Sequence, residues 1–95
     1  MIICAGREKQ FAIEDAYTAG RLVKAAKKGI RQVALNDAAR AALVLTEQFA
    51  SWKEALEDSE AALQLAEADL VEDVTFAAKA DRFGVVPTYA NRRIT

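Results

Sequence analysis

The sequence predicts an all-α fold in which a shorter N-terminal helix precedes a long helical region. Fifty consecutive residues, 34–83, contain neither glycine nor proline. Within them, apolar side chains recur at alternating steps of three and four, which is the spacing of one helix face and not of a strand. Residues 10–28 show a similar spacing. We therefore expect one helical domain over residues 1–95, with extended arms at both termini.

The N-terminal arm, residues 1–9, begins with the apolar tetrad Met1–Cys4 and continues into a charged stretch. The tetrad fits a short strand, an arm docked on a neighbouring molecule, or a weakly ordered terminus that packs one isoleucine. These three interpretations stay open at the level of sequence.

The first helix is predicted over residues 10–28. Its apolar face consists of Ile13, Ala16, Tyr17, Gly20 and Val23. Acidic residues come early and lysines late, which complements the helix dipole. Glycine inside a helix costs up to about 1 kcal/mol relative to alanine. Gly20 therefore indicates a close crossing with another helix.

The long helical region is predicted over residues 36–83, with Asn36 as a plausible N-cap. Its apolar residues form a heptad-like seam that keeps one register for about six repeats. We expect this seam to be an association surface. Its large members are Leu45, Phe49, Trp52, Leu56, Leu63 and Leu70.

Whether this region is one helix or several is left open by the sequence. A single helix would be roughly 70 Å long and would need a partner chain to bury its seam. A turn at residues 57–60, with Asp58 or Ser59 as a cap, would give a helical hairpin or a three-helix bundle instead. Pro87 cannot continue a helix, so residues 85–95 are predicted to be an extended arm that lies in a groove.

The composition argues against catalytic chemistry. The chain has no histidine, a single cysteine and four isolated glycines. It therefore lacks the commonest general base near neutral pH, a zinc ligand set and a phosphate-binding glycine loop. From this we predict that the protein is not an enzyme and has no catalytic, cofactor-binding or metal-binding residue.

A stripe of basic side chains with one tyrosine is the candidate contact surface for phosphate groups. Steps of three and four place most of its members on one side of the first helix. The stripe consists of Tyr17, Arg21, Lys24, Lys27, Lys28 and Arg31. A solvated helix face is the simpler explanation, because the net charge of the chain is −1.

The leading functional hypothesis from the sequence is a non-enzymatic protein-interaction module that self-associates as a coiled coil. We expect the chain to form a homo-oligomer and to bind a protein partner. A small accessory, structural or inhibitor protein of a phage or mobile element would fit this description. The alternative is a binder of nucleic acid or nucleotide phosphates through Arg21, Lys24, Lys28 and Arg31.

The sequence predicts a cytoplasmic location without membrane association. No apolar run approaches the length that spans a bilayer, and the opening residues 1–6 are too short for a signal-peptide core. The single Cys4 suits a reducing compartment.

Overall fold

A computed structural model describes all residues of the chain, 1–95. Five helices follow one another: α1 (Ile13–Gly29), α2 (Asp37–Gln48), α3 (Trp52–Glu57), α4 (Glu60–Glu67) and α5 (Val71–Ala77). A two-stranded antiparallel hairpin, β1 (Tyr89–Ala90) and β2 (Arg93–Ile94), ends the chain. The predicted all-α class is confirmed only as a mostly helical chain, because the hairpin was not foreseen.

The first helix is close to its predicted position, and α1 and α2 cross closely at Gly20. A Cβ atom at Gly20 would lie 2.1 Å from the carbonyl oxygen of Ala42 and 2.5 Å from the Cγ2 atom of Thr46. Both distances are far inside van der Waals contact. The close helix crossing predicted from this glycine is therefore confirmed, and its partner is α2.

The core lies between α1 and the segment that joins α2 to α3. Tyr17 of α1 is 1% exposed. Phe49 and Trp52 pack edge-on against its ring, with centroids 5.9 and 5.0 Å away. Edge-to-face geometry at these distances is favourable for aromatic pairs. These three rings hold α1 against the start of α3.

The predicted long helix is broken first at residues 49–51. Phe49 is extended, at φ −106° and ψ 134°. Ser51 caps α3 by accepting a hydrogen bond from the backbone N–H of Glu54. Because of this break, Phe49 and Trp52, which lie on either side of the turn, both contact Tyr17.

Two further breaks follow along the chain. At the turn considered in the sequence, residues 57–60, Ser59 caps α4 by accepting from the N–H of Ala62 at 3.1 Å. After α4, Asp69 takes a left-handed conformation with φ +60° and ends the helix without a glycine. The region therefore contains four short helices.

A single coiled-coil seam is consequently a wrong prediction. Its members lie on three different helices, and Phe49 and Leu70 lie between helices. Leu45, Trp52 and Leu56 are half-buried, whereas Leu63 is 63% exposed. The reason is that steps of three and four continue across the turns, so the spacing alone did not reveal them. Association through these residues stays a prediction.

The two arms lie on the surface. Residues 1–5 form no regular structure and are exposed. The C-terminal arm turns at Asn91 and Arg92, both with positive φ, and its apolar residues Val85, Val86 and Ile94 are exposed. It does not lie in a groove of its own chain. No helix combines the length and apolar character that crossing a bilayer requires.

Candidate functional site

A cleft lies where the turn over residues 7–10 meets the first turns of α1 and α4. Its volume is about 520 Å³. Its polar and charged lining residues are Arg7, Glu8, Gln10, Glu14, Asp58, Glu60 and Gln64, and the apolar ones are Phe11, Ala12, Ile13 and Ala61. The cleft thus joins residues that are more than fifty positions apart in the sequence.

The wall of the cleft next to α1 is a tight turn with two left-handed residues. Glu8 and Lys9 have φ values of 49° and 65°. The N–H of Arg7 donates to the carbonyl oxygen of Gln10 at 3.0 Å, and the N–H of Gln10 donates back at 2.8 Å. This is the geometry of a two-residue hairpin turn. It fixes the backbone on both sides of the Arg7 side chain.

Gly6 and Asp15 attach this turn to α1. The backbone N–H of Gly6 donates to the Oδ2 atom of Asp15 at 2.7 Å, and both residues are half-buried. Gly6 has φ +70°, which a side chain disfavours, and an added Cβ would lie 2.5 Å from the carbonyl oxygen of Gln10. Asp15 therefore positions the turn beside the start of the helix.

The N-terminus of α1 opens into the cleft without a side-chain cap. Its N-cap residue is Ala12, which makes no side-chain hydrogen bond. The N–H groups of a first helical turn have no acceptor within the helix, and they carry the positive end of the helix dipole. These donors are available to an anion that enters the cleft.

Arg7 connects the turn to α4. One Nη atom of Arg7 donates to the Oε1 atom of Gln64. A guanidinium group has five donors, so one such bond leaves others free to bind a second acceptor. Arg7 is the only cationic side chain that lines the cleft.

Carboxylates outnumber this cation. Glu8, Glu14, Asp58 and Glu60 line the same cleft, so its walls are negative overall. No cluster of three or more histidine, cysteine, aspartate or glutamate side chains is placed to hold a metal ion. The cleft therefore offers one strong anion-binding point, at Arg7 and the start of α1, within an acidic surrounding.

The basic stripe predicted from the sequence lies elsewhere. Arg21, Lys24, Lys27 and Lys28 are exposed on the C-terminal half of α1, and Arg31 lies beyond the end of the helix. The single ion pair of the chain, Lys53 with Glu57, involves none of them.

The first two residues of the stripe, Tyr17 and Arg21, have contacts within the chain. Arg21 lies over the Trp52 ring, with its guanidinium carbon 5.7 Å from the ring centroid. The Tyr17 ring is enclosed by Phe49 and Trp52, so it is not exposed for stacking on a base.

Sequence reasoning missed the residues that build the cleft: Gly6, Arg7, Asp15 and Gln64. One signal was present, an apolar run followed at once by a glycine and then by a helix, which is typical of a strand–loop–helix unit. The pairing of Arg7 with Gln64 had no local signal, because 57 positions separate the two residues.

Comparison with known proteins assigns the chain to a family. The family model described as 2-phosphosulpholactate phosphatase matches residues 1–92. A relative from Thermus thermophilus, named probable 2-phosphosulfolactate phosphatase, is 36% identical over 91 residues. A relative of the same name from Thermotoga petrophila is 34% identical over 92 residues.

These matches overturn the functional predictions made from the sequence. A phosphatase family contradicts a non-enzymatic interaction module, a coiled-coil phage or mobile-element accessory protein, and the prediction that the protein is not an enzyme. The reasoning failed because it equated the absence of histidine and of a glycine-rich loop with the absence of catalysis. Arginine, carboxylates and backbone N–H groups can carry phosphate chemistry without either.

The chain spans about two-fifths of the length of the relatives it matches. The aligned residues are 96% of this chain in both cases, but 38% of the Thermus thermophilus protein and 39% of the Thermotoga petrophila protein. Since the family model covers residues 1–92, the chain belongs to the 2-phosphosulpholactate phosphatase family.

Proposed function

We propose that this chain forms part of an enzyme that hydrolyses the phosphate ester of 2-phosphosulfolactate. The observation that carries the proposal is the family match over residues 1–92, supported by the names of both relatives. Because the chain spans about two-fifths of those relatives, we assign to it a part of the active site rather than the whole of it.

2-Phosphosulfolactate carries three acidic groups, and each of them is negatively charged. Its name denotes a lactate that carries a phosphate ester and a sulfonate, so phosphate, carboxylate and sulfonate are all negative near neutral pH. Such a molecule requires cationic side chains and directed N–H donors. The acidic side chains of the cleft repel it everywhere except at a point where such donors converge.

Arg7 and the start of α1 are that point. The guanidinium of Arg7 lines the cleft together with Ala12 and Ile13, which flank the uncapped first turn of α1. A guanidinium can bind two phosphate oxygens at once, and a helix N-terminus offers backbone N–H groups to an anion. We assign this corner of the cleft to the phosphate group.

The acidic side chains have a role in the same reaction. Hydrolysis transfers the phosphoryl group to water and releases sulfolactate and inorganic phosphate. A carboxylate beside the phosphorus can orient the attacking water and accept its proton. Glu14, in the first turn of α1 and on the cleft wall, is the carboxylate that we assign to this role.

Replacement of Arg7 by alanine tests the assigned corner. We expect Arg7→Ala to lower kcat/KM for 2-phosphosulfolactate by about 10²–10³-fold, which is typical for loss of one donor to a developing charge. Lys9→Ala is the matched control, because Lys9 lies in the same turn but does not line the cleft. Phosphate release by the purified protein that carries this chain is the measurement.

The reaction itself is tested with two substrates. The protein should release phosphate from 2-phosphosulfolactate at least tenfold faster than from phospholactate, which lacks the sulfonate. Absence of release under conditions in which the Thermus thermophilus relative is active would refute the proposed function. Equal loss of activity in Arg7→Ala and Lys9→Ala would refute the assigned corner alone.

A further inference from the structure

The chain exposes far more surface than a compact protein of its mass. Its accessible surface is 8010 Å², and ten of its 95 residues are buried. A folded monomer of this mass exposes about 5,400 Å². The excess is roughly 2,600 Å², about three times the ~800 Å² that each partner buries in a standard interface.

The N-terminal segment contributes to this excess in a specific way. Residues 1–5 are apolar without interruption, and all five are exposed. Ile3 is 78% exposed. No backbone hydrogen bond within the chain involves residues 1–5. An exposed apolar segment whose backbone N–H and C=O groups are unpaired has the side chains and the hydrogen-bonding groups that an edge strand offers to a sheet.

The pattern of the segment indicates which kind of strand it is. A strand with one wet face alternates apolar and polar residues, whereas a strand covered on both faces reads as a continuous apolar run. Residues 1–5 are a continuous run, and Gly6, a tight turn and α1 follow directly. This order, strand then loop then helix, is that of a sheet flanked by helices.

We propose that residues 1–5 form a strand of a sheet whose other strands belong to the remainder of the 2-phosphosulpholactate phosphatase fold. The partner of residues 1–5 is the part of the protein that corresponds to the three-fifths of the relatives that this chain does not match. That part of the fold pairs with the backbone of residues 1–5 and covers both of their faces.

A second copy of this chain fits the segment less well. Two copies of residues 1–5 would form a two-stranded ribbon with an open edge on each side, and such ribbons are marginal in water. They would not supply helices for both faces. The inference rests on family membership and exposed surface, not on the reaction proposed above.

The proposed strand also explains the position of the cleft. Gly6 and Arg7 follow the carboxyl end of the strand, and the N-terminus of α1 lies beside them. In open sheets flanked by helices, ligands bind outside the carboxyl ends of the strands.

The experiment compares the chain alone with a chimera in which it replaces the 91 matched residues of the Thermus thermophilus relative. Amide hydrogen exchange at residues 2–5 is the first measurement. We expect fast exchange in the chain alone and exchange at least tenfold slower in the chimera. Fast exchange in a folded chimera, or a chimera that does not fold where the relative does, would overturn the proposal.

Substitutions at Ile3 supply the second measurement. In the chimera, Ile3→Asp should lower the midpoint of thermal unfolding by about 10 °C, whereas Ile3→Val should change it little. In the chain alone, Ile3→Asp should have no effect, since Ile3 is exposed there. Ile30→Asp, at a residue that is 58% exposed and outside the segment, is the matched control.

These outcomes separate the alternatives. Slow exchange at residues 2–5 in a dimer of the chain alone would assign the strand to a second copy and overturn the proposal. Equal effects of Ile3→Asp and Ile30→Asp in the chimera would remove the special role of residues 1–5. None of these measurements depends on phosphatase activity. A chimera that exchanges slowly at residues 2–5 but does not release phosphate would therefore count against the proposed function and would leave the strand proposal intact.

Discussion

At the scale of single residues, Gly6, beside the cleft-lining Arg7, has little tolerance for substitution. Its φ of +70° belongs to the left-handed region, and its N–H donates to Asp15. The space that a Cβ atom would need is filled by the carbonyl oxygen of Gln10. Backbone conformation and a steric limit therefore both select glycine at this position, and the hydrogen bond to Asp15 excludes proline.

Gly6→Ala should destabilise the turn by about 1–2 kcal/mol or more, from the left-handed conformation alone. Chemical denaturation measures the change in the free energy of unfolding. Gly84→Ala is the control, because nothing lies within 4 Å of a Cβ atom there. We expect the control to change stability by less than about 0.5 kcal/mol. Equal effects of the two substitutions would contradict this account of Gly6.

Ser59 is the second residue whose side chain has a specific structural role, because its hydroxyl makes hydrogen bonds to two helices. It is 1% exposed, its Oγ atom donates to the carbonyl oxygen of Leu56 at 2.6 Å, and it accepts from the N–H of Ala62. One hydroxyl thus serves the end of α3 and the start of α4. This is why the chain can turn there without glycine or proline.

Ser59→Ala should cost about 1–2 kcal/mol, because the part-buried N–H of Ala62 loses its acceptor. The Leu56 carbonyl loses one donor and keeps the backbone N–H of Ser59. Ser51→Ala is the matched control, since Ser51 caps α3 from an exposed position. We expect a smaller cost there, about 0.5–1 kcal/mol. Thermal unfolding followed by circular dichroism gives both values, and the reverse order would show that burial at Ser59 does not matter.

At the scale of elements, the crossing of α1 and α2 is the tightest packing in the chain. Gly20 lets the backbone of α2 approach α1 until the Ala42 carbonyl fills the place of a side chain. Thr46 lies beside it and is buried. The gain from close contact here outweighs the helix propensity that glycine lacks.

Gly20→Ala should destabilise the chain by at least about 2 kcal/mol, because α2 must move away to admit the methyl group. Gly29→Ala, at the C-terminal end of the same helix, meets nothing within 4 Å. The control should be neutral or slightly stabilising, since alanine is the better helix former. Stabilisation by both substitutions would mean that the two helices do not cross at Gly20.

At the scale of the whole molecule, the chain is short of buried surface. The ten buried residues include three alanines of α1 and its flank, which bury little area each. Apolar side chains such as Phe11, Val86 and Ile94 remain exposed at both ends. A chain that buries so little gains little free energy from folding.

Urea unfolding of the chain alone should therefore be shallow, with a slope below about 1 kcal/mol per molar urea. The slope should rise when the chain stands within the chimera, because more surface becomes buried. A steep, cooperative transition for the chain alone would show that the exposed surface is covered by self-association. Light scattering at the same concentration would identify that case.

Short-range signals explain what could be predicted from the sequence. Asn36 accepts the Ala39 N–H at 2.9 Å and caps α2 as expected. Gly20 indicated a close crossing from one residue in an otherwise helical pattern. The Asn36 cap spans three residues. At Gly20, the absence of a side chain is itself the signal, since it permits the backbone of another helix to approach.

The breaks of the long helical region and the cleft needed the tertiary structure. Phe49 leaves the helix because Tyr17, more than thirty positions earlier, takes up its ring. Arg7 reaches Gln64 across 57 positions. Spacing along the chain carries no information on contacts of this range, which is why a continuous seam was predicted.

The sequence by itself determined that the chain is mostly helical, where α1 lies, that Asn36 caps α2, and that Gly20 permits a close contact. These are properties of neighbouring residues, so the order of residues contains them. Only the tertiary structure decided where the long region breaks and that Gly6, Arg7, Asp15 and Gln64 converge. Those outcomes depend on which distant surfaces can bury each other, and that is settled when the chain packs.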